Sequence, residues 1–203
     1  KLKYSFQYYI DKAIYKFKNK TYLIDENNPK KNIRFSDLNK FLINFSYFLE
    51  KNKISKQKKV LICLNNNNIT GLILIGLIYF NRIVIPVNPA FKKKDIEFII
   101  KNSRPDFIIT DKEYNNLFKG IKVNKTFLQN LKLFDEPNKN DIKKISILDK
   151  DLAEIVYTSG STGDPKGVAL TQKNIISQIS SIQNHFNFNK NDKFITILPL
   201  FHN

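Results

Sequence analysis

The chain has 203 residues, of which 42% are hydrophobic and 13% aromatic, and its formal net charge is +16. These apolar side chains suffice for a core, which excludes a disordered chain, and the presence of only six glycines excludes a collagen-like one. A single cysteine excludes internal disulfides, and two histidines with that cysteine exclude a Cys/His zinc site.

The first part of the chain predicts a helix, two short strands and a second helix. Apolar residues at helical spacing between Tyr4 and Phe17 predict the opening helix. Short strands are predicted at Thr21–Asp25 and Asn32–Phe35, on either side of a turn. Ser36 is the predicted N-cap of a helix that continues to Leu49.

Apolar strands then alternate with helices. The predicted strands are Lys59–Leu64, Ile83–Val87 and Asp106–Thr110. The second of these is expected to end around Pro86 and Pro89, because proline cannot continue a central ladder. The predicted helices are Ile69–Phe80, Lys93–Asn102 and a short helix that Asp111 caps and that ends at Phe118. This alternation indicates an α/β fold with layered, mostly parallel sheets covered by helices on both faces.

Two further features concern the middle of the chain. Cys63 lies in an apolar run, and since no base neighbours it in the sequence we expect a buried hydrophobe rather than a nucleophile. Residues 135–150 are polar and rich in turn-forming residues. We expect them to form a surface loop rather than a domain boundary, because an apolar strand resumes at Leu152–Tyr157.

A segment rich in glycine and hydroxyl groups separates that strand from the next apolar run. Three of the six glycines fall within eight residues, beside four hydroxyl side chains and Lys166. Glycine lets backbone N–H groups converge on one anion, so the segment predicts a polyphosphate-binding loop. The alternatives are a purely structural turn, a flexible linker, which does not suit a position between buried strands, and a Walker loop, whose Gly-Lys-Ser/Thr order is absent.

The segment Tyr157–Val168 resembles the signature of the adenylate-forming (AMP-binding) superfamily, which includes acyl-CoA synthetases, aryl-CoA ligases, luciferases and peptide-synthetase adenylation domains. The likeness extends in order to other segments, which are Asn32–Leu38, Val60–Pro89, Ser103–Thr110 and Leu198–His202. The resemblance implies that the chain forms the front part of the large N-terminal domain of an adenylate-forming enzyme.

The resemblance also implies a two-step ligase reaction. In this family a carboxylic acid reacts with ATP and Mg²⁺ to give an acyl-adenylate and pyrophosphate. Coenzyme A, or the pantetheine of an acyl carrier protein, then accepts the acyl group. The wording of the motifs is closer to acyl- and aryl-CoA ligases, which implies a fatty or aryl carboxylate as the small-molecule substrate.

The matching positions give the expected site residues. The resemblance implies that Thr158 and Lys166 are catalytic and contact the β- and γ-phosphates. The remaining phosphate contacts implied by the match are Ser159, Gly160, Ser161, Thr162 and Gly163. His202 matches a position that borders the acyl or aryl pocket, and no metal-ligating residue is assigned. Pro165 and Gly167 are expected to shape the loop, and Asp164 and His185 to be exposed.

The sequence also departs from the family pattern. Asn81 stands where the family usually has glycine, and Gln172 stands where a histidine is common. Nothing matches the family's adenine-binding segment, ribose-binding acidic motif, hinge or C-terminal catalytic lysine. We therefore expect residues 1–203 to be an incomplete N-terminal portion of an adenylation domain, with the small C-terminal domain absent, and to be inactive alone.

Three other functions stay open. One is activation of an amino acid or acyl group for a carrier protein, and another is a truncated, non-catalytic phosphate-binding protein. The third, a basic nucleic-acid binder, is disfavoured because the positive charge comes from scattered lysines, with only three arginines for bidentate contacts. We expect these lysines to be solvated, with weak peripheral attraction to a membrane surface left open.

The apolar runs bear on location. The longest, Ile69 to Phe80, is too short to cross a bilayer, so we expect no transmembrane segment. The chain does not open with the pattern of a signal peptide. The expected location is therefore the cytoplasm.

Overall fold

Helices and strands alternate in the computed structural model, which describes residues 5–25, 28–135, 142, 145–158, 165–196 and 198–201. Its α-helices are α1 (Phe6–Phe17), α2 (Phe35–Lys51), α3 (Asn68–Tyr79), α4 (Lys93–Ser103) and α5 (Gln172–Phe186). Its strands are β1 (Thr21–Leu23), β2 (Ile33–Arg34), β3 (Lys59–Cys63), β4 (Ile83–Pro86), β5 (Phe107–Thr110), β6 (Asn124–Phe127), β7 (Leu152–Thr158) and β8 (Lys166–Thr171). Short 3₁₀ helices cover Pro29–Lys31, Lys112–Phe118 and Leu128–Asn130.

The main sheet has the strand order β6-β5-β3-β4-β7-β8. Strands β3 to β7 pair in parallel, as the alternation of apolar strands and helices predicts. Leu61 of β3, for example, lies opposite Ile85 of β4 on one side and Ile108 of β5 on the other. Among the described strands of this sheet, only β8 runs antiparallel, beside β7. The expectation of a mostly parallel α/β fold is therefore confirmed.

Both faces of the sheet are covered. Because side chains alternate along a strand, Val60 and Ile62 point to one face, and Leu61 and Cys63 to the other. The first face carries a large apolar cluster that includes side chains of α2 and α3. The second carries a smaller cluster that includes side chains of α4 and the 3₁₀ helix Lys112–Phe118. Cys63 is fully buried, and burial raises the pKa of its thiol to about 12, as expected of a residue that is no nucleophile.

Helix α1 lies outside the first helical layer. Its Phe6, Ile10 and Ile14 pack against the larger apolar cluster. The Tyr79 hydroxyl of α3 donates a hydrogen bond to Asp11 at 2.7 Å. Strands β1 and β2 form a separate antiparallel ribbon between α1 and α2. Among the described residues, none of the helices combines the length and the apolar character needed to span a bilayer.

The predicted caps of two helices are wrong. Helix α2 begins at Phe35 rather than after Ser36, since the carboxylate of Asp37 accepts the backbone N–H of Arg34 at 2.8 Å and fixes an earlier start. Asp111 precedes a 3₁₀ helix that ends at Phe118, but its side chain does not cap that helix. It accepts hydrogen bonds from the Asn65 backbone N–H and the Gln129 side chain instead.

Strand β6 and part of the polar segment that follows it differ from the expectations drawn from the sequence. The sequence did not predict β6, an edge strand whose first residues are polar and exposed. Residues 136–141, 143 and 144 of the expected surface loop lie outside the described residues. Of the remainder, Ile142 and Ile145 pack against the larger apolar cluster. That part of the segment is therefore anchored to the core.

Candidate functional site

The β7–β8 hairpin brings together Thr158 and Lys166, two of the predicted phosphate contacts. Thr158 is the last residue of β7, Lys166 is the first of β8, and the two are directly paired across the hairpin. The remaining predicted contacts, Ser159 to Gly163, lie outside the described residues, as do Asp164 and His202. The observed strand on each side of the segment agrees with the predicted strand–loop–strand arrangement.

Both described residues of the pair face solvent. The Thr158 and Lys166 residues are exposed, and the Thr158 hydroxyl lies 3.5 Å from the Lys166 carbonyl oxygen, a long hydrogen bond. Strand β7 is parallel to β4, so Thr158 lies at the edge of the sheet where the parallel strands end. Open α/β sheets bind ligands at this edge. An ammonium group and a hydroxyl donor are therefore available there to an anionic ligand.

Gly167, the residue after Lys166, allows side chains of β7 to pack closely against β8. A Cβ atom at position 167 would lie 3.1 Å from Cζ of Tyr157 and 3.3 Å from Cγ2 of Ile155. The Tyr157 ring therefore lies across β8, and its hydroxyl donates a hydrogen bond to the Asn102 side chain of α4. Burial raises the pKa of this hydroxyl. The close approach agrees with the expectation that Gly167 shapes the hairpin.

The opposite end of the hairpin is held by a buried polar network that the sequence analysis missed. Gln57 Nε2 donates to Asn81 Oδ1 at 2.9 Å, and Asn81 Nδ2 donates to Asp151 at 2.7 Å. Gln57 also exchanges two hydrogen bonds with the backbone of Leu152, the first residue of β7. The network thus ties the start of β7 to the α3–β4 turn.

Gln172, the first residue of α5, extends this network to the end of β8. Its side chain is fully buried, and its Nε2 donates to the Ile78 carbonyl at 3.3 Å. Its backbone N–H donates to the Asp151 carbonyl at 2.8 Å. In the sequence analysis, Asn81 and Gln172 are the two residues that differ from the expected pattern. That difference was the sequence feature that could have pointed to this network.

Asp151 supplies the negative charge of the network. Burial acts to raise its pKa, but hydrogen bonds from the Leu148 N–H, Asn81 and Lys56, together with the Lys56 charge, lower the pKa below its ordinary value. The Lys56 ammonium lies 3.2 Å from the carboxylate. The charged form of Asp151 is therefore the form that the fold holds.

The segment before His202 lies at the same edge of the sheet as Thr158. The Leu200 N–H donates to Asn66 Oδ1 at 3.0 Å, immediately after β3. Leu200 and Phe201 line a small, mainly apolar cleft whose other lining residues are Ile62, Leu64, Asn66, Thr70, Leu74, Pro86 and Val87. Apolar surface therefore lies at the same edge of the sheet as the Thr158 hydroxyl and the Lys166 ammonium group.

Other chemistry-bearing residues lie apart from this edge or form no cluster. His185, in the last turn of α5, is exposed, as expected. Within the described ranges, no three His, Cys, Asp or Glu side chains are grouped closely enough to hold a metal ion.

Comparison with known proteins identifies relatives along nearly the whole chain. The family model described as AMP-binding enzyme matches residues 10–203. The chain is 27% identical to the crotonobetaine/carnitine–CoA ligase of Citrobacter koseri, over 91% of this chain and 40% of that protein. It is 32% identical to the D-alanine–D-alanyl carrier protein ligase of Listeria monocytogenes, over 76% of this chain and 31% of that protein. The chain thus spans less than half the length of these curated relatives.

Solved structures share the fold. A long-chain-fatty-acid-CoA ligase from Archaeoglobus fulgidus superposes with a TM-score of 0.85 at 22% identity, over 98% of this chain and 43% of that one. An O-succinylbenzoate coenzyme A synthetase from Bacillus subtilis, in complex with ATP and magnesium ion, gives a TM-score of 0.79 at 20% identity, over 96% of this chain and 51% of that one. Since the family model covers nearly all of its residues, the chain belongs to the AMP-binding enzyme family of adenylate-forming acid ligases.

Proposed function

We propose that the protein containing this chain activates a carboxylic acid with ATP, and that the β7–β8 hairpin holds the pyrophosphate portion of the nucleotide. The observation that carries the proposal is the direct pairing of Thr158 with Lys166 on either side of a segment of hydroxyl residues and glycines. Both are exposed at the edge of the sheet where the parallel strands end. A hydroxyl and an ammonium group side by side fit a polyphosphate.

The chemistry requires stabilisation of a leaving group. A carboxylate oxygen attacks the α-phosphorus of ATP, the bond from that phosphorus to the bridging oxygen breaks, and pyrophosphate leaves with the electron pair. Lys166 and the hydrogen-bond donors of residues 158–163 would stabilise the growing negative charge. Donors that are already in place contribute more to the transition state than donors that must reorganise.

The cofactors and the second substrate are also part of the proposal. Magnesium commonly binds through substrate phosphates with one or two carboxylates, so we expect Mg²⁺ to arrive with ATP. His202 would border the pocket of the acyl substrate, because apolar surface of Leu200 and Phe201 precedes it at this edge. We propose a fatty or aryl acid as the substrate and coenzyme A as the thiol acceptor, in the cytoplasm.

Activation for a carrier protein is the second candidate. It is favoured by the 32% identity to a D-alanine–D-alanyl carrier protein ligase. We further infer that residues 1–203 correspond to an N-terminal portion of a larger adenylation domain, which agrees with the shares of the relatives' lengths that the chain covers. Transfer of a labelled acyl group to coenzyme A or to carrier-protein pantetheine distinguishes the two acceptors.

The experiment is carboxylate-dependent exchange of labelled pyrophosphate into ATP, with a panel of fatty, aryl and amino acids and the full-length protein. We expect Lys166→Ala to lower the exchange rate about 10²-fold or more, as removal of a preorganised donor does elsewhere. Thr158→Ala should lower it as well, and Thr158→Ser should restore most of it. Lys173→Ala is the matched control, since Lys173 is an exposed lysine on α5 that lies outside the hairpin.

Two results would contradict the proposal. Exchange that is unaffected by Lys166→Ala would remove the hairpin from the reaction. Retained ATP binding without exchange for any carboxylate would favour the non-catalytic phosphate-binding alternative instead.

A further inference from the structure

The outward face of α1 consists of tyrosine and lysine side chains. Tyr15 is 91% exposed, Tyr9 45% and Tyr8 38%. Lys12 lies one turn after Tyr8 and Tyr9, Lys16 lies one turn after Lys12 and beside Tyr15, and both lysines are exposed. We call this set of five residues the α1 outer face. The exposed surface of α1 also includes one acidic residue, Asp11, which borders this face.

The orientation of this face is fixed by the core. Phe6, Ile10 and Ile14 lie on the opposite side of α1 and pack against the larger apolar cluster. Asp11, at the border between the two sides, accepts a hydrogen bond from Tyr79 at 2.7 Å. The α1 outer face therefore points away from the sheet as the outermost layer of this side of the molecule.

The surface around the end of α1 adds further positive charge. Lys18 and Lys20 follow the helix, and Lys30 and Lys31 precede β2, which pairs with β1 directly after Lys20. None of the described lysines of this region forms an ion pair with another described residue. Instead, the Lys12 ammonium lies 5.8 Å from the Tyr8 ring centre, and the Lys20 ammonium lies 5.5 Å from that of Phe17.

The described acidic groups near these lysines, Asp11, Asp25 and Asp37, accept hydrogen bonds from other parts of the protein. A carboxylate oxygen of Asp25 accepts the Asn28 backbone N–H at 3.0 Å, and one of Asp37 accepts the Arg34 backbone N–H at 2.8 Å. Together with the Asp11–Tyr79 hydrogen bond, these contacts direct the carboxylates toward the protein. These carboxylates keep their negative charge, but the sequence of residues 5–37 has seven basic residues and four acidic ones, so the local electrostatic potential is positive.

We propose that the α1 outer face binds the headgroup region of an anionic membrane surface, with the helix lying parallel to it. Tyrosine has an apolar ring and a polar tip and is suited to the boundary between headgroups and acyl chains. Lysines next to it are attracted to anionic lipids, each by about fivefold in binding constant. Lysine acts as a point charge, which suits headgroups better than the bidentate contacts that nucleic-acid recognition uses.

The first experiment measures binding of the 203-residue chain to vesicles of phosphatidylcholine with 30% phosphatidylserine. We expect binding at low ionic strength, its loss at 0.5 M NaCl, and no binding to vesicles of phosphatidylcholine alone. Lys12→Gln combined with Lys16→Gln should weaken binding about 25-fold. The matched control is Lys119→Gln with Lys122→Gln, which removes the same charge from exposed positions elsewhere and should have a much smaller effect.

The second experiment places a fluorescent reporter on the helix, since the chain contains no tryptophan. Tyr15→Trp should show a blue-shifted emission when anionic vesicles are added, because the indole enters the interface. Tyr47→Trp, on α2 at a position that is 61% exposed, is the control and should show no shift. Both positions are exposed, so neither substitution disturbs the core.

Three results would overturn the proposal. Equal loss of binding in the two double lysine variants would mean that net charge alone attracts the protein. Equal emission shifts at positions 15 and 47 would mean that no particular face is used. Binding to duplex DNA without binding to anionic vesicles would assign the α1 outer face to nucleic acid.

Discussion

Asn81 carries two separate constraints in the turn between α3 and β4. Its φ angle is 58°, in the left-handed region that costs most residues about 1–2 kcal/mol and that asparagine and glycine adopt more readily. Its side chain is fully buried and hydrogen-bonds with Gln57 and Asp151. Asparagine at this position therefore adopts the conformation of the turn and adds a polar link to β7.

Two substitutions at this position separate the two constraints. Asn81→Gly keeps the backbone conformation and removes only the side-chain hydrogen bonds, whereas Asn81→Ala removes the bonds and also strains the backbone. We expect both to destabilise the fold, and the alanine variant to unfold with a free energy about 1 kcal/mol or more below that of the glycine variant. Urea denaturation of the three proteins measures this, and equal stability of the two variants would refute the backbone contribution.

At the scale of the element, the two glycines of helix α3, Gly71 and Gly76, have different surroundings. A Cβ atom at Gly76 would lie 2.8 Å from Cδ1 of Phe45 and 3.0 Å from Cε1 of Phe41, both in the buried core side of α2. Within the described part of the chain, a Cβ atom at Gly71 would meet only Leu200 Cδ1, at 3.6 Å. The close approach of α2 and α3 therefore depends on Gly76 and not on Gly71.

The same substitution at these two glycines is expected to have opposite effects. Alanine favours a helix over glycine by about 0.8–1.0 kcal/mol, so Gly71→Ala should be neutral or stabilising by up to that amount. Gly76→Ala must displace buried phenylalanine rings and should destabilise by about 1–3 kcal/mol in spite of the better propensity. The readout is the urea midpoint of each variant. Destabilisation of similar size in both would show that the difference in packing is not decisive.

The elements that the sequence predicts well are those whose burial dictates their composition. Strands β3, β4 and β5 are almost entirely buried, and apart from Lys59 and Thr110 at two of their ends their residues are apolar. Strand β6 escaped prediction because an edge strand needs no apolar run. The caps of Ser36 and Asp111 were wrong because other groups competed for the same hydrogen bonds: Asp37 fixed the start of α2, and Asn65 and Gln129 engaged the Asp111 carboxylate.

In the candidate site, too, some features could be predicted from the sequence and others could not. The placement of Thr158 and Lys166 beside paired strands follows from the apolar runs on each side of the glycine-rich segment, and their phosphate contacts stay a prediction. The network that holds the base of the hairpin joins residues far apart in the chain, such as Gln57, Asn81 and Gln172. The unusual residues Asn81 and Gln172 mark two positions in the sequence, but which groups they contact could not be predicted, since only the packing of α3, β7 and α5 brings them together.

At the scale of the whole molecule, the charge cannot be balanced by ion pairs. The chain has 34 basic residues and 18 acidic ones, so at least 16 of the lysines and arginines gain no acidic partner in any one-to-one arrangement. The ion pairs that the structure does form, such as Lys58–Asp106 and Lys93–Glu97, are partly or well exposed to solvent. Repulsion among the remaining positive charges therefore acts against the folded state.

Screening of this repulsion should make the fold more stable as salt is added. The Debye length falls from about 30 Å at 0.01 M to about 8 Å at 0.15 M salt, a range over which exposed lysines on neighbouring elements cease to interact. We expect the melting temperature to rise across this range by several degrees, since about 1 kcal/mol corresponds to about 2–4 °C for a chain of this size. Calorimetry in NaCl and in choline chloride at equal ionic strength measures the effect, which should be the same in both salts because it depends on screening alone. A melting temperature that is constant or falls with salt would mean that attractive pairs, and not the excess of lysine, dominate the electrostatics of the fold.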